Sequence, residues 1–169
     1  MKHFKLFLLP LLAMIFILSS CEQQDLSLTY IEPIQDWGKS PQDIIEKMTK
    51  SKSGATLDYS ESDEDDYYMV YKNYGISNYV YYHFNNNRLA FCYTSIDGLS
   101  FKQTVKNYFD KNFTLVQIEK DEEFEGYLYH NNKKTSSIAL CIFKEDGYIS
   151  QYYIPYVEGN LEDFIDSMP

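Results

Sequence analysis

The 169-residue chain has three cysteines, one tryptophan, five prolines and seven glycines. So little of each excludes a disulfide-stapled mini-domain, a collagen-like chain and a low-complexity linker. Basic residues are also scarce: 15 Lys plus Arg stand against 25 Asp plus Glu, a net charge of −10. A surface that acidic repels phosphate backbones and anionic lipid headgroups, so no nucleic-acid partner is expected. Beyond residue 20 the only histidines are His83 and His130. No nucleophile elbow, Gly-rich phosphate loop, HExxH or zinc spacing of Cys and His occurs, and Gly54, Gly75 and Gly126 stand alone. The expectation is therefore no enzyme, no cofactor and no metal. An enzyme would need His83 or His130 in a pocket beside a carboxylate such as Asp58 or Glu125.

The chain has a single long apolar run. Lys2 and Lys5 precede an uncharged stretch from Leu6 to Leu18, followed by Ser19, Ser20 and Cys21. This is the layout of a secretory signal peptide, and it is shorter than the roughly 20 residues needed to span a bilayer. Leu18-Ser19-Ser20-Cys21 resembles the lipobox of bacterial lipoproteins. That resemblance implies cleavage before Cys21, diacylglycerol on its sulfur and a further acyl chain such as palmitate on the new amino terminus. Two or three chains make a durable anchor where one holds only marginally. Residues 1–20 then form a lipoprotein signal peptide, 21–29 a lipidated tether, and 30–169 one folded domain. Loss of Lys2 and Lys5 leaves 13 Lys plus Arg against 25 Asp plus Glu, a net charge of −12. The expected location is the cell envelope, anchored to the outer membrane and facing the periplasm or the surface.

Within that domain a unit of about sixty residues occurs twice, near 38–97 and 98–157. The offset lays Gly38-Lys39-Ser40 on Gly98-Leu99-Ser100. Each serine precedes by three a residue able to close a capping box, Ser40 with Asp43 and Ser100 with Gln103. Pro41 occupies the favoured first position of the first helix, and Ile44, Ile45 and Met48 share a face. Phe101, Val105, Tyr108 and Phe109 do so in the second. A short third helix is expected after Gly159, capped by Asn160 with Asp163, its apolar side being Leu161, Phe164 and Ile165.

After each of the first two helices the apolar period falls from 3.6 to 2, with many Tyr, Val, Ile and Phe, and predicts strands. In the first unit these fall near Thr56–Tyr59, Tyr67–Lys72, Asn78–Phe84 and Leu89–Ser95. In the second they fall near Phe113–Glu119, Glu125–His130, Ser137–Lys144 and Ile149–Tyr156. Asn85-Asn86-Asn87-Arg88 and Glu145-Asp146-Gly147-Tyr148 fit tight hairpin connections. The predicted fold is α+β: a tandem repeat of a helix followed by four antiparallel strands, with the helices packed on the sheet. Val80, Tyr82 and Phe84 share one face with Leu89, Phe91 and Tyr93, and that face is expected against the helices.

The 17 tyrosines are the least ordinary feature, eight of them lying between Tyr67 and Tyr93. Strand alternation that sends Tyr82 inward sends Tyr79 and Tyr81 outward. Exposed tyrosine offers flat apolar area with a hydroxyl, which suits protein surfaces and sugar rings. Tyr79 and Tyr81 are thus the candidate binding residues, with Cys21 the lipid-attachment site. The acidic run Glu61 to Asp66 lacks the glycine and distal glutamate of an EF-hand and reads as a solvated turn at the rim of that surface. Cys92 and Cys141 both lie in apolar runs; export permits a disulfide between them, while the setting suits buried thiols.

Trp37-Gly38-Lys39-Ser40, Met48 and Tyr82-His83-Phe84 resemble a set of small exported lipoproteins of unknown function from Gram-negative, gut-type bacteria. The resemblance covers about residues 30–157 and implies fold and localisation, without an activity. The doubled helix-and-sheet unit also resembles the beta-lactamase inhibitor protein fold and, in one unit, the small lipoprotein of the outer-membrane barrel-assembly machinery. Both bind other proteins. The function expected is therefore a non-catalytic, membrane-anchored module that binds or scaffolds an envelope protein. An alternative is a carbohydrate-binding accessory lipoprotein of an outer-membrane importer, which would need two or three coplanar aromatic rings in an open groove.

Overall fold

The computed structural model describes residues 30–168 apart from 52, 64 and 65, and leaves the side chains of 59, 61–63 and 66 undescribed. The signal segment, Cys21 and the tether lie outside the described residues, as do the tip of the acidic turn and the side chains of the rest of it. In chain order the elements are helix α1 (Pro41–Lys50), strands β1 (Thr56–Asp63), β2 (Asp66–Tyr74), β3 (Ser77–Asn85) and β4 (Arg88–Asp97), and a 3-10 turn (Leu99–Phe101). Helix α2 (Lys102–Asn112), strands β5 (Phe113–Lys120), β6 (Phe124–Asn131), β7 (Ser136–Phe143) and β8 (Tyr148–Pro155) and helix α3 (Leu161–Asp166) follow.

Local chemistry accounts for most of these boundaries. Ser40 and Asp43 close a reciprocal capping box at α1, with Pro41 inside it, and Asn160 and Asp163 do the same at α3. Gly159 has φ of 148°, and a Cβ there would sit 2.2 Å from the Asp163 carboxylate, so the cap of α3 requires glycine. The capping box expected at Ser100 is absent. Gly98, at φ of 86°, leads instead into the 3-10 turn, which contains Ser100, and α2 starts with no side-chain cap. Asn86 and Asn87 both have positive φ between the paired residues Asn85 and Arg88, the type I′ geometry that matches strand twist.

The tandem α+β repeat expected from the sequence is corrected by the strand pairing. All eight strands form one continuous antiparallel sheet in the order β1-β2-β3-β4-β8-β7-β6-β5, accompanied by three short helices. Neither group of four strands ends in a free edge at the centre. β4 and β8 pair from Cys92 opposite Tyr153 to Asp97 opposite Tyr148, which satisfies the ladder groups that two separate sheets would leave open. One core spans the seam, joining Ile44 and Met48 of α1 and Val105 and Phe109 of α2 to Tyr82, Cys92, Tyr129, Ile138 and Tyr153 of the sheet. Nor do the helices form one layer: α3 lies on the opposite face, where Leu161 and Phe164 pack with Leu128, Ala139, Cys141 and Ile154. Ile165, expected on the apolar side of α3, is exposed.

The segment before α1 straps the core face. Tyr30 bridges to Gly75, and its hydroxyl hydrogen-bonds that of Tyr153. The Ile34 amide donates to the Tyr82 hydroxyl, and Trp37 Nε1 donates to Ser136 Oγ at 2.9 Å. Gly38, at φ of 76°, turns the chain so that its amide meets the Leu89 carbonyl while the Leu89 amide meets that of Lys39. The Trp-Gly-x-Ser segment is thus a clasp between α1, β4 and β7.

Candidate functional site

The face of the sheet opposite α1 and α2 is covered by α3 over β6, β7 and the end of β8, and among the described residues no helix covers it over β2, β3 and β4. Tyr79 and Tyr81 of β3 alternate with the buried Val80 and Tyr82, so both stand on this open face, as the sequence predicts. Tyr93 lies opposite Tyr81 and Tyr152 opposite Tyr93, giving one aromatic row across three strands. Ring centroids are 6.3 Å apart from Tyr79 to Tyr81, 5.4 Å from Tyr81 to Tyr93 and 5.1 Å from Tyr93 to Tyr152. Phe91 adjoins Tyr152 at 6.2 Å, and Tyr68 stacks on His83 at 4.6 Å. Tyr68 and Tyr79 are 38% and 36% exposed; Tyr81, Phe91, Tyr93 and Tyr152 are half-buried.

Two residues of this row were expected in the core. Leu89 does point inward, but Phe91 and Tyr93 do not. Phe84 pairs with Leu89 and His83 with Phe91, so Ala90 is an extra residue on β4 and reverses the alternation beyond it. A bulge marked by no glycine leaves no trace in the apolar pattern. Tyr152 and Tyr68 were also not singled out. Tyr152 follows the period of β8, but its meeting with Tyr93 depends on the β4–β8 seam.

Cys92 is in the core with α1 and α2, whereas Cys141 lies on the α3 side; both are free and buried. They face opposite sides of the sheet and cannot form the disulfide left open by the sequence. Burial raises both thiols, Cys141 to about 12, which removes thiolate chemistry. The residues named as possible acid–base partners are also apart. Asp58 pairs with Lys72 at 2.6 Å, His83 stacks on Tyr68, and His130 meets the Tyr156 ring edge. Burial lowers the His130 pKa, with the Lys134 charge adding to it, and its Nε2 has no hydrogen-bond partner among the described residues. Among the described residues no group of His, Cys, Asp and Glu is placed to hold a metal ion.

Glu125 is the focus of the strongest electrostatics. It accepts from Lys102 Nζ at 2.7 Å and from the Tyr127 hydroxyl at 2.7 Å, with Lys144 and Lys120 at 3.6 and 3.8 Å. Burial alone would push this carboxyl up, but the hydrogen bonds from Lys102 and Tyr127 and the lysine charges hold it down at about 2. The cluster fastens α2 to β6 and stands away from the aromatic row.

With the fold and these sites in view, the chain matches no family model, no curated protein and no solved structure. Among the described residues no helix is long and apolar enough to cross a membrane.

Proposed function

We propose that this chain is a non-catalytic lipoprotein, held to the membrane through lipid on Cys21, whose open aromatic face binds a protein partner in the cell envelope. The observation that carries this reading is the row Tyr79–Tyr81–Tyr93–Tyr152, flanked by Phe91 and Tyr68 on a rigid sheet. Half-exposed aromatic rings fixed by cross-strand packing offer large apolar contact at small entropic cost, the property of interface hot spots. Lys72, opposite Tyr79 and paired with Asp58, adds polar groups at the border of this face, the place of an interface rim.

The ring planes favour a protein over a sugar. Successive rings are tilted by 50°, 49° and 37° along the row, which gives a corrugated surface in place of the flat platform on which a pyranose stacks. Trp37 belongs to the strap and is bonded to Ser136, away from this face.

The test is a photo-reactive residue at Tyr81 in intact cells, with Arg88 as the control position. A discrete adduct from Tyr81 alone, lost when Tyr79 and Tyr93 become serine, is the expected result. Tyr79→Ser with Tyr81→Ser should cost about 1 kcal/mol in folding per ring, the worth of a cross-strand aromatic pair. Loss of binding only in step with unfolding would make these tyrosines structural. Metabolic labelling with a clickable fatty acid, abolished by Cys21→Ser, tests the anchor.

A further inference from the structure

The sheet has two edges, and they are guarded unequally. β1 carries Asp58, Glu61 and Asp63 along its length, so a second acidic edge is repelled. β5 begins with six uncharged residues, Phe113-Thr114-Leu115-Val116-Gln117-Ile118, and exposes Leu115, Val116 and Ile118 by 39, 43 and 48%. Among the described residues it is bonded on one side only, to β6. An edge of this kind is a template for another strand.

The charges flanking β5 specify which strand. Its start lies beside Lys111 of α2 and beside Lys133 and Lys134 of the β6–β7 turn, because Phe113 pairs with Asn131 and Thr114 Oγ1 bonds Asn132. Its far end carries Glu119 and Lys120 and runs into Asp121, Glu122 and Glu123, all exposed, so acidic residues outnumber basic ones there by four to one. The edge is therefore positive at one end and negative at the other. A second copy laid antiparallel across a two-fold axis sets each basic end against the partner's acidic end; a parallel copy would set like against like.

We infer that β5 pairs antiparallel with β5 of a second copy, extending the sheet across a dyad near Val116. That axis runs along the sheet normal, so both aromatic faces look the same way. Val116 is itself a bulge, skipped between the pairs of Leu115 and Gln117. It shortens the pairing span and makes the dimer weak and dependent on local concentration, which membrane tethering raises. The inference does not rest on the partner reading: Tyr79→Ser with Tyr81→Ser leaves dimerisation unchanged.

The test is cysteine cross-linking of the full chain in intact cells. Val116→Cys should give a reducible species of twice the single-chain mass under mild oxidant, and Leu57→Cys on the opposite edge at least about tenfold less. Lys111→Glu should weaken the Val116→Cys product, and adding Glu122→Lys should restore it. No cross-link, or equal cross-linking from both edges, overturns the inference. An adduct of any other mass overturns it in favour of a foreign strand, and a ladder of higher species overturns the closed two-fold pairing.

Discussion

Glu125 and Glu32 are two partly hidden carboxyls that their surroundings drive in opposite directions. Glu125, held at about 2 by Lys102, Tyr127 and Lys120 against its own burial, prefers to be charged in the folded chain. Its unfolded value is near the ordinary carboxylate range, so its contribution is whole above about pH 4.5 and is lost as pH falls toward 2. Glu32 is raised, chiefly by burial, with the Tyr108 and Gln35 hydrogen bonds opposing it only in part. Its contribution has the opposite sign: present at low pH and lost as pH rises through the elevated folded value. Two variants separate them. Glu125→Gln should lower stability at pH 7 by on the order of 2 kcal/mol, once water around the half-exposed lysines is allowed for, and flatten the acid limb of unfolding between pH 4.5 and 2. Glu32→Gln keeps an acceptor for Tyr108 without the buried charge, so its midpoint at pH 7 should match or exceed that of the parent. Urea titrations at pH 3, 5 and 7 measure both, and an unchanged acid limb in Glu125→Gln would show that the lysines hold α2 without it.

At the scale of elements, the sequence made every strand readable and hid how they meet. Period-two runs of Tyr, Val and Ile place all eight strands to within a few residues, because burial on one face leaves its mark at every second position. The caps at Ser40 and Asn160 were equally legible, since capping is local chemistry. Ser100 misled because the same Ser-x-x-Gln spacing, after Gly98, sits in a 3-10 turn. The candidate site was half legible for a related reason. Tyr79 and Tyr81 follow from alternation with Val80 and Tyr82, whereas Phe91 and Tyr93 depend on the extra residue at Ala90. The bulge gives a sharp test. Deleting Ala90 removes the extra residue while leaving Leu89 opposite Phe84 and Phe91 opposite His83, so plain alternation still keeps Phe91 and Tyr93 on the open face and Cys92, Thr94 and Ile96 in the core. Cooperative unfolding and near-ultraviolet circular dichroism close to those of the parent are expected. Ala90→Gly keeps the bulge and should cost no more than about 1 kcal/mol. If the deletion abolishes cooperative unfolding, the pairs Phe84–Leu89 and His83–Phe91 do not by themselves fix the faces of β4.

The whole molecule is bound together where the sequence suggests a division. A sixty-residue offset invites two bodies, yet β4 and β8 share a ladder, and the strap from Tyr30 to Ser40 touches both groups of strands. Tyr30 packs on Tyr108 and Phe109 while bridging Gly75, and Trp37 reaches Ser136 as Gly38 and Lys39 hold Leu89. Neither group can lose its structure without exposing the other's core face. Unfolding should therefore be a single transition, with the fluorescence of Trp37, the chain's one tryptophan, coinciding with loss of strand signal. Ile149→Ala, at a fully buried seam position of β8 opposite Ile96, should cost about 2–5 kcal/mol. Because the seam is shared, that cost should appear equally in amide exchange from β2–β3 and from β6–β7. Faster exchange confined to β6–β7, or a second calorimetric peak, would mean that the two groups of strands fold separately and that the continuous sheet is only their juxtaposition.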